Sequence, residues 1–277
     1  MALLTPATIA DLLDRHDLRP SRALGQHFLA DPNSARRIVR LGAVEADDHV
    51  LEIGPGLGSL TLALAEAGAS VTALELDRHL LVALEDVVGG LPNVRVVQGD
   101  ALIADLDELL PTRPEGWKLV ANLPYNLATP MVARVLEEAP TVTSLLVMVQ
   151  REVGERLAAP PGGKDYGAIS VKVAYYGVAK VVGAVPRTVF FPPPNVDSAL
   201  IRIDRHAAPP VEVPSPEALF TIVRAGFAQR RKMLRRALQP QLGDRTIAVL
   251  EQAGVDPQAR AESLDLDAWA AVARAAA

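Results

Sequence analysis

The chain has no cysteine among its 277 residues, which excludes a disulfide framework, a thiolate metal site and a cysteine nucleophile and leaves the redox compartment open. Lysine is scarce as well: five stand against 23 arginines, a bias that, with the abundant alanine, reflects a GC-rich gene rather than a task. No apolar run approaches the roughly 18 residues that a membrane helix requires. Asp11, Asp14, Arg15 and Asp17 interrupt any signal-like apolar stretch near the N-terminus, so the cytoplasm is the expected compartment. An excess of positive charge is also missing. The net charge is −5 and the pI about 5.6, the wrong overall sign for a protein that binds a polyanion.

What the chain does have is a series of short apolar strands that end in chemically unusual residues. His49 to Ile53 is a strand candidate that runs into Gly54-Pro55-Gly56-Leu57-Gly58, and Ser59 to Ala67 has helix-compatible composition,. Glycine at every second position lets the backbone turn tightly and lets a ligand approach it closely. Glu75 ends the next strand, Ser70 to Leu74, a natural place for a carboxylate that binds two ribose hydroxyls. A nicotinamide enzyme also pairs a glycine loop with an acid about 20 residues on, but its third glycine would fall at position 59, which is Ser59,. A third strand, Val94 to Gln98, ends in Gly99-Asp100-Ala101-Leu102. Asp100 there can accept from an adenine amino group, with Ala101 and Leu102 against the ring; the competing role for Asp100 is a helix cap.

A fourth apolar run, Trp117 to Ala121, closes in Asn122-Leu123-Pro124-Tyr125. An exocyclic adenine nitrogen is a poor nucleophile because its lone pair is delocalised into the ring. A side-chain carbonyl from Asn122 and a nearby backbone carbonyl can each accept an N–H from such an amine and turn it toward tetrahedral geometry, while Tyr125 stacks on the base. Taken alone, the tetrapeptide reads equally well as a strand-ending turn.

The pattern Glu52-x-Gly54-x-Gly56-x-Gly58 resembles the loop of class I S-adenosylmethionine-dependent methyltransferases. From about residue 20 to the C-terminus the chain resembles the ribosomal RNA adenine dimethyltransferases of the kasugamycin-sensitivity type. The resemblance is carried by Leu24 to Leu29, Glu52 to Thr61, Asn122 to Asn126, Phe190 to Ser198 and Phe227 to Lys232, in that order. It implies an α/β fold with a Rossmann-like seven-stranded sheet and a smaller, all-helical C-terminal domain. It further implies S-adenosylmethionine as cofactor, held by His27, Leu29, Gly54, Glu75, Asp100, Ala101 and Asn122, and no metal. The target base would lie between Tyr125 and Phe190, with Leu123 and Pro124 completing the catalytic motif. His27 stands where many members have Asn, so its main chain rather than its side chain is the expected contact. Asn195 stands where Lys is frequent, which removes one expected phosphate contact.

Three prolines after Phe191 stiffen the backbone and present an aromatic with little entropy left to lose,. One of the two phenylalanines is expected to be buried, and Phe191 is the choice. Ser198 to Ile203 is a strand, matching the antiparallel seventh strand of these enzymes, and Ala168 to Tyr176, strand-like in pattern, is a helix by the same resemblance.

Charge distribution restores an RNA-binding surface that the net charge denies. Arg224, Arg230, Arg231, Lys232, Arg235 and Arg236 fall in one stretch with no acidic residue. Read as one helix, the stretch has an apolar stripe of Phe220, Val223, Phe227, Leu234 and Leu238 and a cationic outer face for phosphates. Arg19, Arg22, Arg36, Arg37 and Arg40 form a second cluster. With 49% hydrophobic residues the chain can bury a sizeable core, and two domains are expected: 1–205 for catalysis, with an N-terminal helical extension, and 217–277 as a helical RNA-binding domain, joined by a proline-rich linker at 206–216. Helix starts are read at Ser215-Pro216, Thr246 and Leu266, and Pro160 to Lys164 is read as a flexible lid. The resemblance implies dimethylation of two adjacent adenines in the 3′-end hairpin loop of 16S ribosomal RNA by a monomer acting on the small ribosomal subunit precursor. The rivals are a 23S ribosomal RNA adenine methyltransferase conferring antibiotic resistance, a non-catalytic RNA-binding assembly factor, and an NAD-dependent oxidoreductase.

Overall fold

The computed structural model describes residues 2–21, 25–125 and 127–277, so Arg22, Leu24 and Asn126 lie outside the described residues. Among the described residues nine strands form: β1 (Phe28–Leu29), β2 (His49–Ile53), β3 (Ser70–Glu75), β4 (Val94–Gln98), β5 (Trp117–Asn122), β6 (Val142–Gln150), β7 (Gly177–Val185), β8 (Phe190–Phe191) and β9 (Ser198–Arg205). Seven of them form one sheet in the order β4-β3-β2-β5-β6-β9-β7. The first five in that order run parallel, and β9 runs antiparallel to β6. The expected antiparallel strand is therefore present, as is the helix Ala168–Tyr176.

The order reverses direction at β2: β3 and β4 lie on one side of it, β5 and β6 on the other. Loops that leave the carboxyl ends of β2 and β5 thus diverge and open a crevice, the usual ligand position in sheets of this kind. The parallel strands read as near-continuous apolar runs because both faces are covered. Helices Pro6–Arg15, Pro32–Leu41, Ser59–Glu66 and Arg78–Val88 contribute Ile9, Ile38, Leu64 and Leu84 to a core shared with Val50, Val71 and Val120. Asp31 and Asp77 cap two of these helices through the backbone N–H groups of Ser34 and His79,.

The division of the chain differs from the expected boundary. One compact unit comprises the residues up to Gly154 together with Lys180–Arg205; the other comprises Glu155–Ala179 and His206–Ala277. Residues 155–179 therefore group with the C-terminal helices and not with residues 1–154. The reason is packing: Tyr166, Val171 and Tyr175 are buried in one cluster with Phe220, Leu234 and Trp269. Within that cluster Tyr175 meets Phe220 edge-on at 5.5 Å, and a Cβ on Gly226 would come within 2.5 Å of the Trp269 ring. Segment 206–216 is not a free tether, since Val211 and Val213 pack on the same cluster and the Glu212 carbonyl accepts from Arg274 at 2.6 Å. The 160–164 loop is likewise held within its unit. The N–H of Gly162 donates to the Glu262 carbonyl at 2.7 Å, and Arg230 donates to the carbonyl of Lys164.

Helix Pro216–Ala228 starts where Ser215 and Pro216 place it, with the Ser215 hydroxyl accepting from the Ala218 N–H. It does not continue through the basic stretch. A turn over residues 229–233 separates it from helix Leu234–Ala237, so the six cations are distributed over two helices and the turn between them. Phe220, Val223, Leu234 and Leu238 are buried as expected.

Candidate active site

A cavity of about 530 Å³ opens at the carboxyl ends of β2, β3, β4 and β5, within the usual range for small-molecule sites. His27, Leu29, Gly54, Glu75, Asp100, Ala101, Asn122, Leu123, Pro124 and Tyr125 all line it. Four separate strand ends, each singled out by local pattern, are thus brought to one place.

The glycine loop owes its shape to backbone conformation. Gly54, Gly56 and Gly58 all have positive φ, and a Cβ on Gly58 would stand 2.9 Å from Leu84, so a side chain there is excluded both by conformation and by space. Glu75 secures the loop from the next strand. Its Oε2 accepts from the Gly56 N–H at 3.0 Å and its Oε1 from the Asp77 N–H at 2.9 Å. Burial raises the Glu75 pKa, partly offset by these two N–H donors,. Glu52 lies deeper, only 1% exposed, with its carboxyl beside the buried Thr61 hydroxyl. Burial, reinforced by the neighbouring Glu75 charge, pushes the Glu52 carboxyl up to about 8.

On the opposite wall, Asn122 Nδ2 donates to the main-chain carbonyl of His27 at 3.3 Å. That contact occupies the amide nitrogen and leaves the carbonyl as the end of Asn122 suited to accept from a ligand. The His27 main chain is thereby tied to Asn122, while the His27 ring bonds the Pro192 carbonyl through Nδ1 at 2.8 Å and stacks on Tyr125 at 5.8 Å between ring centres. Tyr125 meets Ser198 through its hydroxyl. Asp100 lines the cavity and caps no helix: its Oδ1 accepts from the Leu102 N–H at 2.8 Å within a turn, and the next helix, Leu106–Leu109, is capped by Asp105.

Phe190 departs from expectation. It is only 4% exposed, joins the core and is absent from the cavity lining, whereas Phe191 retains part of its surface. The two-residue ladder of β1 with β8 sets this arrangement by pairing Leu29 with Phe190 and Phe28 with Phe191. Burial therefore falls on Phe190 and not on Phe191, and Phe190 does not line the cavity beside Tyr125.

The basic surface is also corrected in detail. Arg230 pairs with Glu262 at 2.9 Å, so the stretch is compensated from outside its own sequence, and Arg36 is held by both oxygens of Glu66. Arg224, Arg231, Lys232, Arg235 and Arg236 are exposed. Sequence reasoning missed Leu76, an apolar residue 51% exposed that lines the cavity beside Glu75, and its signal was available in its position just after the strand-ending acid. Gln26, inside the Leu24 to Leu29 motif but given no role of its own, also lines the cavity, and its amide donates to Asp77 at 3.0 Å.

Comparison with known proteins follows the same lines. A ribosomal RNA small subunit methyltransferase A of Leifsonia xyli is 48% identical over 96% of this chain and 96% of its own. The corresponding protein of Thermobifida fusca is 48% identical over 98% of this chain and 95% of its own. Among solved structures, the 23S rRNA methyltransferase ErmE superposes with a TM-score of 0.67 at 29% identity, covering 90% of this chain and 98% of that one. A dimethyladenosine transferase from Plasmodium falciparum shares the fold, with a TM-score of 0.74 at 23% identity over 89% of this chain and 96% of that one. A sequence model described as ribosomal RNA adenine dimethylase matches residues 18–277, and the chain belongs to that family.

Proposed function

We propose that the protein transfers methyl groups from S-adenosylmethionine to the exocyclic amines of two adjacent adenines in the 3′-end hairpin loop of 16S ribosomal RNA, converting each to the N6,N6-dimethyl form during small-subunit assembly in the cytoplasm. The observation that carries the chemistry is the convergence of Glu75, Asp100 and Asn122 on one cavity from three strand ends. The relatives named for the small subunit, at 48% identity against 29% for the 23S enzyme, favour the small-subunit target.

The residues fit the cofactor. Glu75, buried at the cavity with its carboxyl already held by two backbone N–H groups, suits a polar ligand, and the glycines leave open the space that side chains would fill. Glu75 would hold the ribose hydroxyls, Asp100 and Ala101 the base, and the main chain at His27, Leu29 and Gly54 the remainder. Bound there, the cofactor supplies an electrophilic methyl on a sulfonium. The protein's part is positioning. Asn122 accepts one N–H of the target amine through its carbonyl, drawing the lone pair out of the ring, and Tyr125 stacks on the base. After the first transfer one N–H is gone, so the pocket accommodates a methyl where a hydrogen bond had been. An adenine in a splayed loop is the substrate form, since a stacked amine is out of reach. Arg231, Lys232, Arg235 and Arg236 contribute phosphate contacts, and the enzyme acts as a monomer.

The test is incubation with radiolabelled S-adenosylmethionine and, separately, undermethylated small subunits, naked small-subunit RNA and large-subunit RNA, followed by digestion to nucleosides. Labelled dimethyladenosine from small-subunit substrates alone is the expected result. Label in large-subunit RNA would transfer the assignment to the 23S activity of the ErmE kind, and no label anywhere would leave an RNA-binding assembly factor.

A further inference from the structure

We infer that Arg134 is a positioning residue for the cofactor's base, acting through the loop that carries Asp100 and Ala101. The inference rests on the reading of the cavity as the S-adenosylmethionine site.

The loop 99–104 folds about Asp100. The N–H groups of Ile103 and Ala104 donate to the Asp100 carbonyl at 3.0 and 2.8 Å, the Leu102 N–H donates to its side chain, and the Gly99 N–H ties the loop to the Glu75 carbonyl at 2.9 Å. These bonds leave the carbonyls of Ala101 and Ala104 to be satisfied from outside, and one side chain does both. Arg134 Nη1 donates to the Ala101 carbonyl and Nη2 to the Ala104 carbonyl at 2.6 Å, while Nε donates to Glu138 Oε2 at 2.7 Å. The side chain is 14% exposed, so its planar fork is held on three nitrogens with little competition from water.

Arg134 lies on helix Ala128–Glu138, which begins three residues after Tyr125. The element that leaves the amine-binding motif therefore also fixes the loop proposed to read the cofactor's base. A lysine could reach one carbonyl as a point charge but could not bridge both. Nothing local marks Arg134 for this role. In sequence it is a lone arginine four residues before a glutamate on an amphipathic helix, a pattern that ordinarily describes an exposed ion pair.

The experiment is calorimetric titration of the protein and its Arg134→Gln and Arg134→Lys variants with S-adenosylhomocysteine and with S-inosylhomocysteine, which lacks the amino group from which Asp100 would accept a hydrogen bond. The native protein should prefer the adenosyl ligand. Arg134→Gln should weaken that ligand about tenfold, or about 1.4 kcal/mol, while moving the inosyl ligand little, and Arg134→Lys should fall between. Amides of 101–104 should exchange faster in both variants, and the KM for RNA should not move. Unchanged discrimination, or an equal loss for both ligands, would overturn the role. Should Arg134→Gln fail to fold, Arg134→Lys carries the same comparison. A native protein that binds neither nucleoside would overturn the cavity assignment and this inference with it, a result distinct from normal native binding with unaltered variants.

Discussion

The hydroxyl of Tyr125 lies 2.9 Å from the hydroxyl of Ser198, a residue only 1% exposed at the start of β9. The aromatic ring proposed to stack on the target base is thereby fixed by the antiparallel strand. Burial raises the Tyr125 phenol above its ordinary pKa, partly offset by the Ser198 bond. Ser198→Ala should free the ring and lower the single-turnover rate by about 2- to 13-fold, the worth of one hydrogen bond of about 0.5–1.5 kcal/mol, with cofactor affinity unchanged by calorimetry.

Asn122→Ala removes the proposed acceptor for the amine and frees the His27 carbonyl. Loss of a preorganised group of this kind should raise the barrier by roughly 2–4 kcal/mol while cofactor affinity changes far less. Near-normal turnover would take Asn122 out of the mechanism.

Glu75→Ala removes both the proposed ribose acceptor and the partner of the Gly56 N–H. Cofactor binding should weaken by about 1.5–3 kcal/mol, as for hydrogen bonds to charged groups, with the fold intact by circular dichroism; unchanged affinity would exclude Glu75 from the ribose role.

Glu52 makes stability fall with pH. Its carboxyl, raised from 4.5 to about 8, retains a proton in the folded state that the unfolded chain has already lost. The native state thus binds more protons across that window, and stability falls as pH rises through it. The melting temperature of the native protein should drop more between pH 5 and 8.5 than that of Glu52→Gln, and parallel profiles would show that Glu52 does not titrate this way.

Lys232→Glu together with Arg236→Glu reverses two exposed charges that need not be withdrawn from an ion pair first, unlike Arg230. RNA affinity should fall and the slope of its logarithm against that of salt concentration should flatten by about two or more. Retention of both would mark this surface as solvated only.

The cavity was legible because its parts are local. A glycine loop, a strand-ending acid and the Asn-Leu-Pro-Tyr turn each announce themselves within a few residues, and parallel strands necessarily bring their carboxyl ends together. The features that were missed depend on distant contacts. Helix 216–228 stops although its apolar spacing continues, because the N–H groups of Leu234 and Arg235 bond the Ala259 and Pro257 carbonyls and draw the chain into a turn. Which of Phe190 and Phe191 is buried follows from the register with Phe28 and Leu29, and a one-residue slip would reverse it. Residues 155–179 join the helical unit through aromatic packing with residues some 45 or more positions away, which no local pattern encodes.

The strand order has a consequence for how the site would fail under heat. Asp100 follows β4, which ends the sheet and pairs only with β3, whereas Asn122 closes β5, enclosed between β2 and β6. Outer strands open at lower free energy than interior ones. The wall proposed for the methyl donor is therefore the softer half of the site, and warming should first raise the donor concentration needed for half-maximal rate, leaving the turnover of a saturated enzyme intact until the centre of the sheet gives way.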